Sequence, residues 1–165
     1  MPDLLTHVVL AYALGTAMAA RWSWATPWYV TLAMIGGLVP DLNHVEALVS
    51  DATVESLLGV PFDWGGLQTG GVVLLVLLVG TVLVEPGRRR RAFGMLALGA
   101  GSHLFTDALI RLADGRSQSV FWPVTRYQPP TPGLYLSTDL WPLIVATTLA
   151  VMAWYLVRYR QSRAT

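Results

Sequence analysis

Apolar residues along this chain come in long unbroken runs rather than in the two-residue or 3.6-residue alternation of a half-buried strand or helix. Such runs predict helices apolar on every side. The first spans about residues 4–20 and the second about 25–39, where Pro40-Asp41 ends the pattern. A third covers about 69–84, a fourth about 92–112 after Glu85-Pro86-Gly87 and four arginines, and a fifth about 140–157. Between them lie two mixed stretches, 40–68 and 113–139, read as loops, the former with room for one interfacial helix. The first run ends in Met18-Ala19-Ala20 and so invites comparison with a signal peptide. It begins with Asp3 and His7 instead of a basic stretch, and reads as a retained helix. No internal repeat is visible, so residues 1–165 read as a single membrane domain.

Composition turns these runs into a membrane prediction. Of the 165 residues, 54% are hydrophobic and 13% charged, and the mean hydropathy is +0.52. A helix needs about 20 residues to cross about 30 Å of hydrocarbon, and several runs approach that length. The expected fold is therefore all-α: an integral membrane bundle of about five transmembrane helices.

Charge orients the bundle. All eleven basic residues are arginine. Short loops rich in arginine stay on the cytoplasmic side, which assigns Arg88–Arg91 and the tail with Arg158, Arg160 and Arg163 to the inside. The expected protein is a multi-pass protein of the cell membrane, with its C-terminus cytoplasmic, its N-terminus outside and both mixed stretches outside. The net charge of +1 and the clustering of arginine speak against a nucleic-acid face. Membrane lipid is the expected surrounding partner, and the oligomeric state stays open. Cysteine is absent, so disulfides, thiolate ligands and a cysteine nucleophile are excluded.

The residues able to do chemistry converge on one level of this topology. Counted from the cytoplasmic helix ends, His7, Asp41 and Gln68 sit at depths of roughly 21 to 25 Å, and His103 and Asp107 at roughly 18 and 24 Å. His103 and Asp107 are spaced i, i+4, one turn apart on one helical face. Such a pair can ligate one metal, or the carboxylate can orient the imidazole. Two histidines and two carboxylates, His7, Asp41, His103 and Asp107, form a nitrogen and oxygen donor set suited to a divalent metal, zinc being the first expectation. Such a metal activates water for attack on an ester or phosphoester, with His103 and Asp107 as catalytic residues. Gln68 and His44 are further candidate ligands. Arg126, in the aromatic and proline-rich loop 113–139, is a candidate contact for a phosphate or lipid headgroup. The competing reading makes the same residues a buried structural or metal-binding network without catalysis.

His7, Pro40-Asp41-Leu42-Asn43-His44, Ser102-His103-Leu104-Phe105-Thr106-Asp107 and Trp122-Pro123 together resemble the YdjM-like membrane-bound metal-dependent hydrolases. The resemblance runs from His7 to about Trp141. It implies a multi-helix membrane protein whose metal centre is similar to those of zinc-dependent phospholipase C and nucleases. Taken with the predicted topology, the expected activity is hydrolysis of a lipid or phosphoester near the outer bilayer surface. Two positions depart from that pattern: Asn43 stands where the family has a second aspartate, and Gln68 stands where it has a histidine.

Overall fold

The computed structural model describes residues 2–164. It is all-helical: α1 (Pro2–Arg21), α2 (Pro27–Leu38), α3 (Asp51–Leu58), α4 (Gly70–Val82), α5 (Arg89–Asp107) and α6 (Trp141–Ala164). Three 3-10 turns, Pro40–Ala47, Trp64–Gln68 and Pro86–Arg88, join them. The stretch 40–68, where one short helix was expected, holds α3. Its start is fixed by Ser50, whose hydroxyl accepts from the Thr53 amide at 3.3 Å.

Two helices have the length and apolar composition of a full crossing, Asp3–Arg21 and Trp141–Arg163, where five were expected. The reason differs from helix to helix. Proline at 40 and the 3-10 turn behind it stop α2 after 12 residues, and α4 has 13, so each reaches under 20 Å or so of rise. α5 is 19 residues long, but its first turn carries Arg89, Arg90 and Arg91. It also ends at Asp107 and not near Leu112. Beyond that point the backbone leaves the helix to pair with the 113–139 loop: the Arg111 amide donates to the Tyr135 carbonyl at 2.7 Å, and the Leu134 amide to the Leu109 carbonyl at 2.9 Å. α6 in turn continues past residue 157 to Ala164.

α1 packs against α2, α5 and α6, and α5 also packs against α2 and α4. The α2–α5 seam is unusually close. A Cβ built on Gly99 would overlap the Ala33 carbonyl, and one on Gly36 would overlap the Leu96 carbonyl, so only glycine lets the two backbones touch. Ala33, Ala92 and Met95 fill the seam, with Val39, Val73, Leu77 and Leu96 extending the core towards α4. The loop following α5 is tied down over the start of α4, where the amides of Gly70 and Gly71 donate to the carbonyls of Val120 and Trp122. These contacts satisfy helix-start donors that no side chain caps.

This packing sorts the charges. Arg160 donates to the Ala20 carbonyl and Arg91 lies over the Trp24 ring, which brings the ends of α6, α1 and α5 together. Arg21, Arg88–Arg91, Arg158, Arg160 and Arg163 share that end. Every acidic residue except Glu85 belongs to the opposite one, with Arg111, Arg116 and Arg126.

Candidate metal centre

At the acidic end, His7 on α1 and His103 on α5 are 1% and 0% exposed and rank among the largest fully buried side chains. Burial of two imidazoles at that depth demands partners for four ring nitrogens. Half of the demand is met by neutral groups. His103 Nδ1 lies 2.7 Å from the Gly37 carbonyl, and His7 Nδ1 lies 3.0 Å from the Thr106 hydroxyl. A carbonyl can only accept, which assigns the His103 proton to Nδ1. The Thr106 hydroxyl has its own proton engaged by the carbonyls of Ser102 and His103 at 3.0 and 2.8 Å, so it accepts from His7 Nδ1. In the neutral rings both Nε2 atoms then carry lone pairs.

What those lone pairs face is more acceptors. His103 Nε2 is 3.1 Å from Asp107 Oδ2 and 3.7 Å from Asp41 Oδ1. His7 Nε2 is 3.1 Å from Asp107 Oδ1 and 3.3 Å from Asp3 Oδ1. Asp107 thus lies between the two imidazoles, whose rings stack with centroids 3.7 Å apart and 23° between planes. His7 Nε2, Asp3 Oδ1, Asp41 Oδ2 and Asp107 Oδ1 are buried without any hydrogen-bond partner among the described residues. Donor atoms of His7, His103 and Asp107 all fall within 4.8 Å of one another. A cation among them resolves the conflict of lone pairs, so the residues present fit a divalent metal.

Around this cluster the shell is ordered by the backbone. Tyr135, 6% exposed, donates its hydroxyl to the Thr106 carbonyl at 2.9 Å and so braces the turn that holds His7. Burial pushes the Tyr135 phenol above its ordinary range and keeps it a donor. Burial also raises the Asp41 carboxyl above its ordinary range.

The expected residues are not all brought together. His7, Asp41, His103 and Asp107 converge. His44 stays half outside, 42% exposed, with Nδ1 3.0 Å from the Asp41 carbonyl and 3.5 Å from its Oδ1. It touches the cluster only through Asp41. Gln68 ends the 3-10 turn Trp64–Gln68, packed on the turn Pro40–Ala47, and makes no polar contact with the cluster. Arg126 lines two surface cavities, one with Arg116 and Tyr127 and one with Asp63 and Trp122, and neither includes a cluster residue. Asp3 and Thr106 belong to the site without having been expected there. Asp3 had a signal, the same four-residue spacing to His7 that joins His103 to Asp107; Thr106 had none.

Comparison with protein-family models, with curated proteins and with solved structures finds no match to this chain.

Proposed function

We propose that the chain is a membrane-embedded metal-dependent hydrolase, with His7, His103 and Asp107 holding a divalent ion and Asp41 as a further ligand. The observation that carries this reading is the facing of two imidazole lone pairs and three carboxylates in a buried space. Zinc suits the nitrogen and oxygen donors. Bound there, such an ion supplies Lewis acidity and lowers the pKa of water for attack on a phosphoester or ester. The chain's own part is to fix the donors. Gly37 and Thr106 set both histidine tautomers, Tyr135 braces Thr106, and Asp3 adds negative charge beside His7. The motif resemblance to the YdjM-like hydrolases belongs to this proposal and supports its reaction class.

Membrane placement is supported by α6, of whose span 17% is buried inside the protein, far too little for the core helix of a soluble globule. Ile144, Leu149, Met152 and, on α4, Leu75, Val79 and Val82 are exposed in the same way. The bundle then lies in lipid with its arginine-rich end cytoplasmic and the metal centre near the outer surface, where a lipid or other phosphoester is the substrate.

Without catalysis, the same cluster would be a metal-binding network or a structural one with protons in place of the ion. Elemental analysis of the detergent-purified protein separates a metal site from a proton-filled network, and the substrate screen that follows separates catalysis from metal binding alone. Near-stoichiometric zinc or manganese, lost in His103→Ala and Asp107→Ala at matched folding, is the expected result and opens a screen of phospholipid and phosphoester substrates. A parent protein that carries no metal and takes up none on titration returns the cluster to a structural role.

A further inference from the structure

The arginine-rich end of the bundle contains a second shaped space, remote from the histidines. α2 and α6 both pack on α1, and a cavity of about 640 Å³ forms the cleft among the three. That volume falls within the roughly 300 to 1,000 Å³ typical of sites for small molecules. Its wall changes character along its length. Tyr12, Val30 and Met34 line the inner part, and Ser23, Arg158 and Gln161 line the rim. Along α1 the separation of Tyr12 from the Arg21 end corresponds to roughly 14 Å of depth.

Two polar groups in this cleft lack the partners their positions call for. Thr16, 7% exposed, lines the cavity midway and has no hydrogen-bond partner among the described residues. Arg158 has no acidic partner among them either; its guanidinium lies 5.5 Å from the Trp154 ring centroid, which leaves its N–H edge available to an oxyanion. Arg21 and Arg160 add positive charge at the same end, with Arg160 held on the Ala20 carbonyl. A ligand matching this cleft is amphipathic, negative at the rim and apolar inside.

We propose that the cleft among α1, α2 and α6 binds one anionic phospholipid, its phosphate at Arg158 and one acyl chain running inward past Thr16 to Met34. The site rests on the membrane placement proposed above and is independent of the metal centre. A free phosphate would engage the rim and leave the inner wall empty, so the lipid is the occupant that the whole cavity fits.

Native mass spectrometry of the full chain in mild detergent tests this, titrating dioleoylphosphatidylglycerol, dioleoylphosphatidylcholine and, separately, inorganic phosphate. The phosphatidylglycerol adduct is expected to form about tenfold more tightly than the phosphatidylcholine one, whose choline cation neutralises its own phosphate and is repelled by the arginine-rich rim. Arg158→Gln, at an exposed position, should erase that preference, and Arg158→Lys should keep most of it. Ala19→Leu, which narrows the cleft, should weaken both lipids by severalfold with the melting curve unchanged. Equal retention of the two lipids by the parent overturns the proposal, as does a preference that survives Arg158→Gln. Displacement of phosphatidylglycerol by millimolar inorganic phosphate overturns the acyl-chain assignment. Release of the protein from membranes by alkaline carbonate without detergent would instead remove the membrane placement itself, so that failure is distinguishable.

Discussion

At the arginine-rich end of the bundle, charge is met locally, mostly by neutral groups, with Arg88 paired to Glu85 at 3.0 Å. Arg89 donates to the carbonyls of Val82 and Val84, each at 2.9 Å, and Arg160 donates to Ala20 at 2.6 Å, so carbonyls left over at the ends of α4 and α1 gain cationic donors. Arg21, Arg91 and Arg163 lie over aromatic rings. At the opposite end His7, Asp3, Asp41 and Asp107 turn unmet atoms towards one another around His103. At the first end most of the cationic groups rest on carbonyls or rings, and at the second the buried acceptors have the arrangement of a group that could hold a cation. The contrast teaches that buried charge alone does not mark a site: what marks one is buried acceptors facing acceptors.

The largest blow to that contrast should come from His103→Ala, which removes the lone pair shared by Asp41 and Asp107. Zinc affinity by competition with a chromogenic chelator is expected to fall roughly 100-fold or more, beyond the range seen for supporting residues. Thr106→Val should act next, since it frees the ring of His7 to take the other tautomer; a loss of about tenfold in the same assay is expected. At the complete end, Arg160→Gln should lower stability by less than about 1 kcal/mol in a thermal melt and leave metal content unchanged. Metal loss in that variant would mean that the two ends are coupled. His44→Ala should be the mildest, within about twofold of the parent in zinc affinity, because His44 reaches Asp41 mainly through its backbone carbonyl; a larger loss would make His44 a ligand.

The all-helical architecture was legible because runs of apolar residues broken by Pro40, Pro86 and the arginines need no tertiary information to interpret. The site was legible as far as helical periodicity reaches. His103 and Asp107 share a face by spacing, and Asp3 and His7 do so by the same rule, although Asp3 reads first as a mark against a signal peptide. Periodicity failed where the backbone is not α-helical. In the 3-10 turn Pro40–Ala47, residues three apart eclipse, which sets His44 directly over Asp41 and folds it back on the preceding carbonyl. Gln68 ends another 3-10 turn, so depth counted along an α-helix did not apply to it. Tyr135 comes to Thr106 across 29 residues of loop, and no local pattern encodes that contact.

The ending of α2 at Leu38 and of α5 at Asp107 has a consequence for the field at the metal centre. Peptide dipoles add along a helix, leaving about half a negative charge at its carbonyl end. Both helices deliver that end to His103, one through the Gly37 carbonyl and the other through the turn that carries Asp107. α1 brings its opposite pole to the same place, but Asp3 sits in its first turn and offsets it. The main chain therefore favours positive charge at this spot before any histidine or aspartate is counted.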